Sequence, residues 1–193
     1  MDHFETELRE IKGFLEKRNI PFYIHAGCGL FLHGIKGELD DCDIRIYHHD
    51  VIDIFEELKK EFKGKFSLNC DRKYAKGVYS NICISYSGVS DFDICSHMVS
   101  ISDLGEFVFP LELDSFKKAE IKKFKSLDLP VSSLEDLLLY YLVLRRDKID
   151  GKNDELHIKE ILSHKNFNLQ KFNENIEKHP KKKELKRLLR ERI

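Results

Sequence analysis

Apolar residues recur at helical spacing from the start of the chain. Phe4, Leu8, Ile11 and Leu15 share one face, which predicts a helix over residues 3–18, with Pro21 beyond its end. The segment FYIHA (22–26) reads as a short strand and GCGLFLHG (27–34) as a glycine-initiated turn entering a short helix. In CDIRIY (42–47) the period becomes two, with Cys42, Ile44 and Ile46 on one face of a strand. Asp50 is placed to cap a helix reaching about Phe62, with Ile54, Leu58 and Phe62 as its stripe. Residues 65–69 and 78–86 are strand-like, and Ser87-Gly88 suits a two-residue turn into VSDFDIC (89–95). Helices and strands alternate, so this half is expected to be mixed α/β.

The second half changes character. After strand-like FVFPLEL (107–113) and IKKFKSLDLPV (121–131), Ser132-x-x-Glu135 has the form of a capping box before the apolar run LEDLLLYYLVLRR. Helical patterns follow at 154–163, 168–178 and 181–192. No repeat of solenoid period and no long linker interrupts the chain. The expected architecture is an α/β core over residues 1–131 and a C-terminal helical region, 132–193, packed on it.

Composition narrows the classes. With 193 residues and 41% hydrophobic content the chain can bury an ordinary core, which excludes wholesale disorder. Lys and Arg number 33 against 34 Asp and Glu, so a basic coat for nucleic acid is excluded too. Near-neutrality hides an asymmetry. Residues 171–193 carry nine basic and four acidic side chains, a local +5 that leaves the preceding body at −6. The five cysteines (Cys28, Cys42, Cys70, Cys83, Cys95) form no C-x-x-C pair and mostly interrupt apolar runs, as buried free thiols do. No apolar stretch approaches the ~18 residues of a membrane span, and the acidic, amphipathic N-terminus is unlike a signal peptide. A cytoplasmic location is expected.

The candidate chemistry lies in HAGCGLFLHGIKGELDDCDIRI (25–46). Asp41 and Asp43, two apart in a strand, project from one face while Cys42, Ile44 and Ile46 take the other. Adjacent carboxylates repel unless a hard cation joins them, and oxygen ligands of this kind suit Mg2+. Upstream, Gly27-Cys28-Gly29 ends a strand and opens a helix, where small residues let backbone N–H groups approach a phosphate. Downstream, Asp93 between Phe92 and Ile94 offers a third acid; Asp91 competes for the role, but Ser90 breaks the apolar bracket around it. Arg45 shares strand parity with Asp41 and Asp43, either to neutralise phosphate or to pair with the acids. His25 and His33 flank the glycine turn, and both read more simply as partly buried side chains bonded to backbone.

These residues, in this order, resemble the nucleotidyltransferase superfamily related to DNA polymerase β. That family carries Gly followed by Gly or Ser, then Asp-apolar-Asp-apolar, then a third acid between apolar residues. Gly27-Cys28 stands at the first element, Asp41-Cys42-Asp43-Ile44 at the second and Phe92-Asp93-Ile94 at the third. LPVSSLEDLLLYYLVLRRDKIDGKNDELHIKEIL (129–162) is similar to the helical segment of small prokaryotic members. The chain departs from the pattern at Cys28 or Ala26, depending on register, and at Gly37, Leu39 and Tyr141.

The resemblance implies a nucleotidyltransferase-type mixed sheet with flanking helices and a C-terminal helical segment. It implies that Asp41 and Asp43 bridge two Mg2+ ions, that Asp93 binds the second, and that backbone amides of Gly27 and Cys28, with Arg45, hold a nucleoside triphosphate. The activity implied is transfer of a nucleoside monophosphate to a hydroxyl of a small molecule, protein or RNA end. The alternative is a catalytically impaired member that binds a nucleotide or a partner. Arg145, Arg146, Lys148 and Lys152 form a basic turn that either contacts substrate or complements a helix dipole. The basic segment 178–192 either packs its leucines on the body or meets a nucleic acid or protein partner.

Overall fold

Strands of 4 to 12 residues, some joined by hairpins and others by helices, build one sheet, and the order in which they pair determines which residues become neighbours. The computed structural model describes residues 3–35, 39, 41–47, 51–62, 66–74, 77–87, 90–102, 105–109, 114–144, 146 and 152–192. The strands are β1 (Phe22–His25), β2 (Asp41–Ile46), β3 (Phe66–Tyr74), β4 (Gly77–Ser87), β5 (Asp91–Ser102), β6 (Gly105–Phe109), β7 (Glu120–Phe124) and β8 (Leu127–Val131). The helices are α1 (His3–Lys17), α2 (Ala26–Leu32), α3 (Val51–Glu61), α4 (Asp114–Lys117), α5 (Leu134–Leu144), α6 (Asp154–Ser163), α7 (Leu169–Lys178) and α8 (Lys182–Arg192). All eight strands join one mixed sheet in the order β3-β4-β5-β2-β1-β8-β7, with β6 paired to the far half of β5. The β1–β8 and β2–β5 pairs are parallel, and the other pairs are antiparallel.

The two faces of the sheet bury different cores. One is covered by α1 and α3, whose Phe4, Leu8, Ile11, Leu15, Ile54 and Leu58 meet Ile24, Cys42, Ile44, Ile94 and Leu129. The Phe4 and Phe92 rings stack there at 5.1 Å. The second core centres on α5, with α2, α6, α7 and α8 around it. Leu137, Leu138 and Leu142 of α5 are completely buried. A helix apolar on every side belongs between layers, and α5 occupies that place. The expected leucine stripe of the tail holds: Leu185 and Leu188 of α8 join this core, while Lys182 and Lys186 turn outward to Glu177.

The structure corrects several boundaries. IKKFKSLDLPV is a hairpin rather than one strand, reversing at Lys125-Ser126 with Lys125 at φ +52°. Neither residue is a usual left-handed turn former, so the sequence conceals the reversal. The cap of α5 is shifted by one residue: the Asp136 backbone N–H donates to Ser133 Oγ at 3.2 Å, and Ser132 instead donates its backbone N–H to the Ile24 carbonyl. The first helix ends at Lys17, ahead of Pro21, and the chain turns away at Asn19, which is left-handed at φ +55°. Cys28 and Cys42 are free and buried, but Cys95 is disulfide-bonded, correcting the expectation of free thiols throughout. Cys83 of β4 lies directly across the pair from Cys95. Asp50, Gly88 and residues 110–113 lie outside the described residues. No described helix is long and apolar enough to cross a membrane.

Candidate active site

The polar site grows from the alternation of β2. Its even-numbered residues Cys42, Ile44 and Ile46 are buried against α1 and α3, so Asp41, Asp43 and Arg45 emerge on the α5 face. The register then aligns neighbours: β5 runs parallel to β2 and sets Asp91 level with Asp41 and Asp93 level with Asp43. On the other side, β1 sets His25 opposite Asp43 and Tyr23 opposite Arg45. Ser85 of β4 faces Asp93 and donates its hydroxyl to Asp93 Oδ1. His25, Asp43, Asp93 and Ser85 therefore form a row across four strands, with neighbouring side chains within mutual reach.

The acids interact electrostatically. Burial pushes the Asp43 carboxyl up to about 6; Arg45 pulls it down, Asp41 and Asp93 push it further up, and Arg146 opposes them. Of the two candidates for the third acid, Asp93 is half-buried and acts on Asp43, whereas Asp91 is exposed and level with Asp41. Arg45 is only 1% exposed, and its charge also reaches Tyr23 and His25. Burial, then Arg45 and Arg146, drive the His25 imidazole well below its usual range, so it is neutral at physiological pH. His25 Nδ1 is buried and finds no hydrogen-bond partner among the described residues.

The end of α5 roofs this row. The Tyr140 ring stands edge-on to His25 at 4.5 Å and to Tyr141 at 5.2 Å. Arg146 packs near both tyrosine rings, 5.5 and 6.0 Å from their centres. Its guanidinium donates to both carboxylate oxygens of Asp154 at 3.2 and 3.3 Å, and its backbone N–H donates to Asp154 Oδ2 at 2.6 Å. This fork fixes the α5–α6 connection with a cation whose field reaches Asp43. Lys152 is exposed; Arg145 and Lys148 lie outside the described residues.

At the glycine turn, β1 runs directly into α2, and the first residue of that helix, Ala26, is left-handed at φ +48°, which puts the tight turn at Ala26-Gly27. A Cβ added at Gly27 would meet nothing within 4 Å, which leaves open space beside the backbone there. The Cys28 side chain points elsewhere: it is 2% exposed, belongs to the α1–α3 core and hydrogen-bonds with Cys42. His33 likewise turns inward, its Nε2 bonded to the Ser132 carbonyl at 2.8 Å.

The fold thus gathers Asp41, Asp43, Asp93, Arg45 and Gly27 on one side of the sheet and sends the Cys28 thiol to the other. Sequence reasoning missed Tyr23 and Ser85, which strand parity alone places level with Arg45 and Asp93 once the register is known. Among the described residues no three His, Cys, Asp or Glu side chains are already drawn together as a metal cage. The donor chemistry nevertheless fits a hard divalent cation: three carboxylates stand on paired strands, and Asp41 and Asp93 add to burial in raising the Asp43 carboxyl.

No protein-family profile matches the chain, and no curated protein matches it. Solved structures do. The Thermotoga maritima protein TM1012, for which nucleotidyltransferase activity is the proposed one, superposes with a TM-score of 0.56 at 19% identity, over 74% of this chain and 85% of that one. ANT(2'')-Ia in complex with adenylyl-2''-tobramycin gives 0.55 at 14% identity, over 94% and 96%. The lincosamide antibiotic adenylyltransferase LnuA, with lincomycin bound, gives 0.50 at 18%, over 82% and 96%. The mixed α/β sheet of this chain is that of a nucleotidyltransferase fold.

Proposed function

We propose that this chain, built on a nucleotidyltransferase fold, transfers a nucleoside monophosphate from a nucleoside triphosphate to a hydroxyl acceptor with the help of Mg2+. The observation that carries the proposal is the pairing of Asp43 with Asp93 across β2 and β5, with Asp41 on the same face. Asp41 and Asp43 would hold both ions and Asp93 the second. When bound, the metal supplies charge neutralisation at the phosphates and acidifies the acceptor hydroxyl. Asp93 would receive the acceptor proton, its carboxylate oriented by the Ser85 hydroxyl that donates to Oδ1. Backbone N–H groups at Gly27 and Cys28 border the open space beside the turn and would receive the phosphates, while Arg45 lends positive charge from beneath. In-line attack of the acceptor oxygen on the α phosphorus would break the bond to the bridging oxygen and release pyrophosphate.

A specific observation supports a second reading. Arg45 and Arg146 both lower the pKa of Asp43 and can balance the acids without metal, as in a module that binds nucleotide or a partner but does not turn over. Calorimetry with Mg2+ and each nucleoside triphosphate, followed by pyrophosphate release with small-molecule, protein and RNA acceptors, distinguishes the two. Tight nucleotide binding with no pyrophosphate from any acceptor favours the silent module; metal-dependent release favours the enzyme.

A further inference from the structure

Away from the acid row, a cleft of about 290 Å³ opens between α4, α5, α7 and α8. Leu139, Phe172, Ile176 and Leu185 give it apolar walls. Two consecutive carboxylates from the first turn of α5 line it, and their situations differ. Glu135 is satisfied: Oε1 accepts the Asn168 backbone N–H at 3.0 Å, and Lys171 Nζ lies 3.1 Å from Oε2. Asp136 Oδ2 is buried and has no hydrogen-bond partner among the described residues. Three lysines line the cleft, Lys118, Lys171 and Lys178; Lys171 pairs with Glu135 and Lys118 donates to Asn175 Oδ1 at 3.4 Å, so neither donates a hydrogen bond to Asp136 Oδ2, although the charges of both reach it. A buried carboxylate oxygen without a donor is costly, and native structures seldom leave one so without a reason.

We propose that this cleft is a binding site for a small organic amine, whose ammonium donates to Asp136 Oδ2 and whose apolar body lies against Leu139, Phe172 and Ile176. Ionised, the orphaned carboxylate can only accept, so the ligand must donate, and an ammonium both donates and holds the carboxylate in its ionised form. The site uses none of the acids of β2 and β5, so it stands or falls separately from nucleotide transfer.

The test uses the full chain, free of metal and nucleotide, with 2-phenylethylamine, neutral 2-phenylethanol and anionic phenylacetate as probes. Calorimetry is expected to give binding of the amine at least ~10-fold tighter than of the alcohol, with phenylacetate weakest, as a charge-assisted bond requires. Asp136→Asn should weaken the amine by ~10-fold or more while leaving the alcohol unchanged. Lys118→Met, which removes a competing cation, should tighten it. Methyl shifts of Leu139 and Ile176 in the wild type report the location independently of any variant's folding. No amine binding at about 10 mM, equal binding of amine and phenylacetate, indifference to Asp136→Asn, or methyl shifts elsewhere would each overturn the proposal.

Discussion

The two faces of the sheet are made from the same strands and yet follow opposite rules. Against α1 and α3 the packing is apolar, and Glu7, a buried acid there, is satisfied, accepting from the Tyr86 hydroxyl at 2.9 Å and the Ser90 backbone N–H at 3.1 Å. Against α5, one residue further along β2, lie Asp43 and the almost wholly buried Arg45. Around them sit His25 and, nearer the start of α5, Asp136, each with a buried polar atom that lacks a partner among the described residues. Burying polar groups in this state costs stability. The comparison therefore separates a face whose buried groups are satisfied from the face on which the chemistry is proposed, and it can be broken by experiment.

The largest effect should come from the acids themselves. If the α5 face performs metal-assisted transfer, Asp41→Asn with Asp43→Asn should reduce pyrophosphate release by about 10³-fold or more while leaving circular dichroism intact and the melting temperature at neutral pH unchanged or higher, because the change relieves a buried, repelled carboxylate rather than removing packing. A melting temperature that falls along with activity would instead make these acids structural and erase the distinction between the faces.

Next in size is the Arg146–Asp154 pair. Asp154 is wholly buried, and Asp154→Ala leaves the Arg146 cation with no carboxylate against Tyr140 and Tyr141, which should cost about 3–5 kcal/mol in denaturant unfolding. Leu58→Ala on the opposite face should cost about 2–5 kcal/mol, purely by opening a cavity. The two differ in rescue. Adding Arg146→Met to Asp154→Ala should recover most of the loss, whereas no polar substitution will repair the Leu58 cavity.

A third experiment separates the faces by pH. Burial, opposed by Lys118, Ser133 and Lys171 and reinforced by Glu135, holds the Asp136 carboxyl at about 6 in the folded chain. The fold prefers the protonated form, so this residue's contribution is fully present below about 4 and is lost as pH rises through about 6. Asp136→Asn should accordingly raise stability by about 2–3 kcal/mol at pH 8 and have little effect at pH 4. Equal effects at both pH values would show that the carboxylate is not strained.

Much of this arrangement was legible in the sequence, and the exceptions are instructive. Period-two alternation in DCDIRI correctly separated Cys42, Ile44 and Ile46 from Asp41, Asp43 and Arg45, because side-chain parity is a local property. The cross-strand levels were not legible: that Asp93 stands beside Asp43 and His25 on its other side depends on a register fixed by residues some 20 to 50 positions apart. The Lys125 reversal escaped because no glycine or asparagine marks it, and the α5 cap slipped by one because Ser132 and Ser133 offer equally good oxygens. The place of Cys28 beside Gly27 speaks only for its backbone amide; that the first turn of α2 carries the thiol round to the other core is not legible from the spacing. Motif spacing located the turn, and only the backbone angles showed that Ala26 is its strained residue.

That strain gives the smallest effect and the sharpest contrast. In an ordinary helix Ala→Gly costs about 1 kcal/mol through lost chain stiffness. Ala26 differs in two ways: its left-handed φ of +48° carries a penalty that glycine does not, about 1–2 kcal/mol, and its methyl is buried in the α5 core, where removal costs about 0.8 kcal/mol. The relief nearly offsets the stiffness and methyl losses together, so Ala26→Gly should change stability by less than about 0.8 kcal/mol, whereas a buried alanine at ordinary helical angles would lose about 1.8 kcal/mol. If the turn also holds phosphates, relieving it should show in nucleotide affinity rather than in melting. A destabilisation of about 1 kcal/mol or more would mean that the methyl, not the backbone, is what this position contributes, and that the turn belongs with the packed face rather than the chemical one.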